Sequence, residues 1–144
     1  MGRNNIEVAY IFDLIGWYSN EPGTQTIPSD IDIKRNTGDF IAFISSDKEV
    51  HSSTELFKSK GCFPIEGIQV PFDSVYSRCS DHFCFLEKNI PSVLATDTAM
   101  LRTPWYHTED DTVDKINFRE MTKMLNNFNL MLYEKTGVLK ETSK

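Results

Sequence analysis

Hydrophobic positions along the chain form several short continuous runs and one long helical stripe, and polar loops separate them. The first run, residues 6–13, is almost continuously apolar from Val8 and ends in Asp13. Such a run predicts a strand that is buried on both faces of a parallel or mixed sheet. Three further strands are predicted at residues 40–45, 63–70 and 92–96.

Helical patterns lie between and after these strands. Ser46 or Asp47 can cap a helix that runs to about Lys60, and Gly61 can end it. A short helical turn is predicted at residues 83–88. Strands and helices therefore alternate, which is typical of an α/β domain.

The clearest helix closes the chain. Asn117 can cap its start, Glu120 occupies the capping-box position, and Gly137 can stop it. We expect residues 138–144 to form a frayed tail. The apolar stripe of this helix consists of Phe118, Met121, Leu125, Phe128 and Leu132, with Met124 and Met131 beside it.

Composition limits the function classes that fit the chain. Its 144 residues suit one domain, which we place at residues 1–144, and 40% of them are hydrophobic. The net charge of −6 argues against a nucleic-acid-binding surface, because phosphate recognition requires clustered Lys and Arg. No segment approaches the roughly 20 apolar residues that span a membrane, so we expect no membrane partner.

Three cysteines, Cys62, Cys79 and Cys84, are too few for a disulfide framework. Free, partly buried thiols are the simplest interpretation, and a Cys79–Cys84 disulfide in an exported protein is the alternative. A zinc knuckle built on these cysteines lacks a second pair of ligands.

Polar groups that could carry chemistry lie at strand ends or in loops that follow strands: Asp13, the pair Asp81-His82, and His107. Asp and His are usual ligands of catalytic zinc, and loops from parallel strands converge at one sheet edge. By spacing alone, however, Asp13 also suits a turn or a helix cap, and a loop histidine also suits an ordinary surface position.

Three stretches, in this order, resemble a known family: residues 8–16 (VAYIFDLIG), 80–93 (SDHFCFLEKNIPSV) and 106–116 (YHTEDDTVDKI). The chain resembles the co-catalytic zinc exopeptidases, which include bacterial aminopeptidases, glutaminyl cyclases, glutamate carboxypeptidase-like enzymes and the transferrin receptor ectodomain. The resemblance covers nearly the whole chain. It implies the C-terminal part of a mixed, mostly parallel sheet flanked by helices.

The resemblance also implies roles for individual residues. Asp13 would bind one zinc of a two-zinc centre, and His107 would bind the other. Asp81 and His82 would lie beside the cleft and support it by hydrogen bonds. Tyr106 would lie next to a peptide substrate.

The chain departs from the family pattern in one respect. The His-x-Asp and Glu-Glu segments, which supply the bridging aspartate and the general base, do not occur in it. The resemblance therefore implies the C-terminal half of a zinc peptidase catalytic domain, with an incomplete metal site and no activity of its own. The sheet edge left by the missing half would be open to self-association.

The resulting hypothesis is a fragment of a zinc-dependent aminopeptidase that removes N-terminal residues from peptides. A glutaminyl-cyclase-like acyltransferase and a non-catalytic binding module like the transferrin receptor are the alternatives. An exported or periplasmic location is implied only by the resemblance.

Overall fold

Four strands form one sheet in a computed structural model that describes residues 6–61 and 63–137. The expected tail at 138–144 and Cys62 lie outside the described residues. The strands are β1 (Ala9–Phe12), β2 (Ile41–Ser45), β3 (Ile65–Gln69) and β4 (Ser92–Thr96). Their order is β1-β4-β2-β3. The pairs β1–β4 and β2–β3 are parallel and β2–β4 is antiparallel, so the expected mixed, mostly parallel sheet is confirmed.

Helices connect and flank these strands. Helix α1 joins β2 to β3, the short helix α2 precedes β4, and the long helix α3 closes the described chain. Their bounds are Glu49–Lys60 for α1, His82–Leu86 for α2 and Phe118–Thr136 for α3. Single 3-10 turns interrupt the polar loops at Val75–Ser77, Ala99–Leu101 and Val113–Lys115.

Helix α1 begins at a local contact and ends at a close approach to α3, at positions that the sequence partly indicated. The Asp47 carboxylate accepts a hydrogen bond from the Glu49 N–H at 2.9 Å, so Asp47 satisfies a free amide of the first turn. At the other end, a Cβ on Gly61 would lie only 1.2 Å from the Asn127 Oδ1 atom. Glycine at this position therefore allows α1 to pack closely against α3.

Helix α3 has the predicted caps, and most of its predicted apolar stripe packs against the core. The Asn117 side chain accepts from the Glu120 N–H at 3.1 Å, and Gly137 adopts the left-handed conformation at φ 69°. The most deeply buried residues are Met124, Asn127, Phe128 and Met131. The predicted stripe therefore faces the core: Met121, Leu125 and Leu132 are partly buried and pack against it, whereas Phe118 is 53% exposed. Met124 and Met131, expected beside the stripe, are its most deeply buried neighbours.

Strand β1 also differs from its prediction. Ala9 to Ile11 are half-buried and Phe12 is 37% exposed, so this strand is not buried on both faces. The reason is its position at the end of the sheet order, where among the described residues only β4 pairs with it. By contrast, every residue of β2 and β4 is buried.

The two faces of the sheet carry separate apolar cores. On the first face, α1 and α3 pack over the sheet, and the core includes Phe43, Phe57, Val93, Phe128 and Met131. On the second face, the core consists of Phe40, Ala42, Ile44, Val70 and Leu94. No helix within the described ranges combines the length and hydropathy needed to cross a bilayer.

Candidate functional site

Asp13 lies directly after β1, at the carboxyl end of the strand, and its side chain is exposed. Its Oδ2 atom accepts a hydrogen bond of 2.7 Å from the hydroxyl of Ser80. Ser80 precedes α2, and its carbonyl accepts from the Phe83 N–H at 3.1 Å, which fixes the serine relative to the helix. The next residue, Leu14, has φ 56°, a left-handed conformation that non-glycine residues rarely adopt. The chain therefore turns sharply after Asp13, with the carboxylate held by Ser80.

A cavity of about 290 Å³ extends from this carboxylate across the second face of the sheet. Most of its wall is apolar, and it includes core side chains of that face such as Phe40 and Leu94. Asp13, Ser80 and Tyr106 line it as well. Because Asp13 is exposed, the cavity reaches solvent beside a carboxylate.

The loop after β1 is held in place by Asp97, which follows β4. One carboxylate oxygen of Asp97 accepts from the Gly16 and Trp17 N–H groups, at 3.1 and 3.0 Å. The other accepts from the Ala99 N–H at 3.2 Å. Burial raises the pKa of Asp97, and the three N–H groups and the Arg102 charge oppose that rise. Asp97 therefore fixes the path that the chain follows after Asp13.

Arg102 performs a similar function behind the cavity wall. It is 5% exposed, and its Nε atom donates to the Gln25 side chain at 2.7 Å. Its Nη1 atom donates to the Phe40 carbonyl at 2.7 Å, and its guanidinium lies 4.5 Å from the centre of the Phe40 ring. Burial lowers the pKa of Arg102 to about 10, and the Asp97 charge opposes this. Because Gln25 and Phe40 line the cavity, Arg102 supports its wall from behind.

His82 is buried completely, and neither of its ring nitrogens has a hydrogen-bond partner. Burial lowers its pKa, and the Asp13 and Asp81 charges oppose this shift. The Asp81 side chain is exposed and does not cap α2. The supporting hydrogen bonds expected from His82 are therefore not observed, because its ring packs in the interior without a polar contact. Its carbonyl, instead, accepts from the Ser92 hydroxyl at 2.7 Å.

Tyr106 and His107 lie in the turn that follows the 97–104 loop. Their rings stack, with centroids 3.8 Å apart and planes inclined by 19°. His107 is exposed and has φ 59°, a left-handed conformation shared by Leu14, Thr98 and Ala99 in the region of the site. Tyr106 lines the cavity with Asp13, whereas His107 does not. The structure therefore brings two of the five predicted site residues to the cavity wall.

The candidate metal ligands do not form a metal site among themselves. Within residues 6–61 and 63–137, no group of three or more His, Cys, Asp or Glu side chains is close enough to hold an ion. Structural and catalytic zinc sites take at least three protein ligands. Asp13 and His107 alone do not fit a two-zinc centre.

Both described cysteines are free thiols and both are exposed. Cys79 lines the cavity and donates to the Tyr76 carbonyl at 3.2 Å. Burial of part of the side chain raises the pKa of this thiol. A Cys79–Cys84 disulfide is not formed in the structure.

Sequence reasoning did not single out three of the groups that shape the site. Ser80 bonds Asp13 across 67 positions of sequence, and Arg102 bonds Gln25 across 77. A serine or an arginine in a polar loop carries no pattern that marks such a partner. Two signals were available, because Asp97 directly follows a buried strand and Ser80 opens the 80–93 stretch that carries the resemblance.

Comparison with known proteins gives relatives that are much longer than this chain. The uncharacterized protein YfbL of Escherichia coli is 25% identical over 133 residues, which cover 89% of this chain and 41% of YfbL. A crystal structure of LapA from Legionella matches with a TM-score of 0.61 at 18% identity, and covers 90% of this chain and 32% of LapA. A second structure, described as the Legionella pneumophila LapA aminopeptidase, matches with a TM-score of 0.57 at 21% identity and covers 88% and 31%.

At these identities the LapA structures show the fold alone, and the chain spans less than half the length of each of these proteins. The family model described as peptidase family M28 matches residues 3–131, which is most of the chain. This chain therefore belongs to peptidase family M28.

Proposed function

We propose that this chain is the substrate-binding part of a zinc-dependent aminopeptidase domain and that it binds the N-terminal residue of a peptide. One observation carries the proposal: a largely apolar cavity of about 290 Å³ opens beside the Asp13 carboxylate. Such a cavity suits an apolar side chain, because burial contributes roughly 25 cal/mol per Å² of apolar surface. Membership of a peptidase family and the fold of LapA support the proposal.

The exposed carboxylate of Asp13 would act on the charged end of the ligand. Ser80 occupies one lone pair of its Oδ2 atom, and the other acceptor positions are open to a cation. A peptide α-ammonium group or a zinc ion suits that position. Because the described residues supply no complete set of metal ligands, we infer that zinc binding and hydrolysis require ligands from outside this chain.

An NMR titration of the isolated chain with L-leucinamide tests this proposal. L-leucinamide carries both an α-ammonium and an apolar side chain. We expect saturable shifts of cavity residues such as Leu94 and Tyr106, and binding at least fivefold weaker for glycinamide and for N-acetyl-leucinamide. Ser80→Ala should weaken binding, because the Asp13 side chain loses its hydrogen bond, whereas Ser59→Ala, which alters an exposed serine of α1, should not.

The same samples distinguish binding from catalysis. With added zinc, we expect no release of leucine from leucine p-nitroanilide by the chain alone. Catalysis by the chain would contradict the inferred need for outside ligands. Equal binding of all three amides, or no binding of any of them, would contradict the cavity assignment and favour a non-catalytic binding module.

A further inference from the structure

One methionine of the chain differs from the others in its exposure. Met100 is 66% exposed, whereas Met124 and Met131 are completely buried in the first core and Met121 is half-buried against it. Of the methionines within residues 6–61 and 63–137, only Met100 is therefore exposed. A reagent dissolved in water reaches its thioether sulfur more readily than the sulfurs of the core.

Met100 also forms part of the cavity wall. It lies in the 3-10 turn Ala99–Leu101, and all three residues of this turn line the cavity. The wall around them is largely apolar and includes Ile27 and Ile33. A thioether suits such a wall, because the methionine side chain is apolar and flexible. The most accessible methionine therefore belongs to the surface that we propose binds the ligand.

The backbone on both sides of Met100 is held in place. Ala99 has the left-handed φ of 51°, and its carbonyl accepts from the Arg102 N–H at 2.9 Å. The carbonyl of Leu101 accepts from the Thr26 N–H at 2.8 Å, which joins the turn to the loop on the opposite side of the cavity. The turn therefore keeps the Met100 side chain at the cavity, and a chemical change in that side chain alters the wall.

We propose that Met100 is an oxidation site, and that its conversion to the sulfoxide by a peroxide weakens the binding of apolar groups in the cavity. The thioether sulfur attacks one oxygen of hydrogen peroxide, so that an S–O bond forms and the O–O bond breaks. The leaving hydroxide takes the proton that the transferred oxygen releases, which gives water. The sulfur loses an electron pair and the peroxide gains it.

The sulfoxide changes the cavity because a polar oxygen replaces part of an apolar surface. An apolar ligand that contacts the oxidised side chain removes water from this oxygen and offers it no hydrogen bond in return. A sulfoxide that turns away into solvent deprives the ligand of the methionine contact instead. Both arrangements weaken binding. This inference rests on the proposed function, because it takes the cavity as a binding site.

The first measurement is the rate at which hydrogen peroxide oxidises each methionine of the folded chain, followed by mass spectrometry of tryptic peptides. Met100 is the only methionine and there is no cysteine in the peptide 89–102, whereas Met124 and Met131 share the peptide 124–135. We expect the first peptide to gain one oxygen atom at least tenfold faster than the second, and urea to abolish this difference. Equal rates in the folded chain would overturn the proposal.

The second measurement is the affinity of two probes, determined by NMR before and after oxidation. L-leucinamide is one, and isoamyl alcohol, which has the same branched apolar group without an ammonium group, is the other. We expect oxidation to weaken the binding of both probes at least threefold, and methionine sulfoxide reductases to restore it. Unchanged affinities after complete oxidation of Met100 would overturn the proposal.

The two probes separate this inference from the peptide-binding proposal. Failure of L-leucinamide to bind, with alcohol binding that still responds to oxidation, would contradict the proposed function and support the role of Met100. Binding of L-leucinamide that oxidation does not change would have the opposite meaning. Binding of neither probe to the unoxidised chain would overturn both.

Matched variants assign the response to Met100. Peroxide should not change the affinity of Met100→Leu for either probe, because leucine has no sulfur to oxidise. Met121→Leu, in the half-buried part of α3, should respond to peroxide like the unaltered chain. Cys79 is the competing target, since its exposed thiol also lines the cavity. Dithiothreitol reduces a sulfenic acid or a disulfide, so recovery of binding with dithiothreitol alone would assign the response to Cys79 and overturn the proposal.

Discussion

The two faces of the sheet use the same strands for different purposes. On the first face, helices α1 and α3 pack over Phe43 and Val93 and close the core completely. On the second face, Ile31 from a loop and Tyr76 from a 3-10 turn lie over the core and leave the cavity beside it. The difference teaches that helices close one face into a core, while loops held by long-range contacts leave room for a site on the other face.

Truncation of the first core should have the largest effect. Phe57 is fully buried in α1 and contacts the ring of Phe43 at 5.4 Å, so Phe57→Ala should lower the free energy of unfolding by about 3–5 kcal/mol. Ile68 is half-buried in the cavity wall. Ile68→Ala should lower the free energy of unfolding by about 1 kcal/mol, since it enlarges a space already open to solvent. Urea unfolding followed by circular dichroism measures both. Equal losses of unfolding free energy in the two variants would contradict the distinction between the faces.

An intermediate effect is expected at Arg102, which supports the second face. Arg102→Met should cost about 2–3 kcal/mol, because the Phe40 carbonyl and the Gln25 amide oxygen lose a buried donor. Arg35→Met is the control, since Arg35 also lies over the Phe40 ring but its side chain is 27% exposed. We expect that control to lose less than about 1 kcal/mol. A larger loss at Arg35, by the same urea unfolding measurement, would show that surface ion pairs rather than Arg102 hold the loop.

The smallest effect should be a dependence of stability on pH. The folded-state pKa of His82 lies below its unfolded value of about 6.5. The unfolded chain then binds the proton more tightly, so this contribution is fully present above pH 6.5 and is lost as the pH falls below it, by up to about 1.4 kcal/mol per pH unit. His82→Phe should remove that slope from thermal unfolding between pH 7 and 5, and His51→Gln, at an exposed position, should keep it. An unchanged slope in His82→Phe would place the pH sensitivity elsewhere.

How much the sequence could predict differs by element. Strands β2 and β4 and the caps of α3 follow from local pattern, because continuous apolar runs and the Asn117 and Gly137 positions act within a few residues. The burial of β1 could not be predicted in this way. The sequence of an apolar run is the same kind of sequence in a central strand and in an edge strand, and only the strand order of the sheet distinguishes the two cases.

The candidate site was predictable only in outline. Asp13 and Tyr106 line the cavity, whereas the metal roles of Asp13 and His107 and the substrate contact of Tyr106 stay predictions. The contacts that shape the site join residues far apart in sequence, such as Ser80 with Asp13. A periodic pattern in the sequence does not predict such pairs, because they depend on the topology of the sheet rather than on local preference.

The pairing of β1 with β4 also has a kinetic consequence. Ala9 pairs with Ser92, whereas Ile41 pairs with Ile65 in the adjoining parallel ladder, so the first contact closes a much longer loop. By the logarithmic dependence on loop length, the longer closure costs about 1 kcal/mol more chain entropy. The β2–α1–β3 unit can therefore assemble from nearby sequence, while β1, which precedes Asp13, joins by the most distant strand pairing of the sheet. In such an order of assembly, the edge of the sheet beside Asp13 is the last part of the sheet to form.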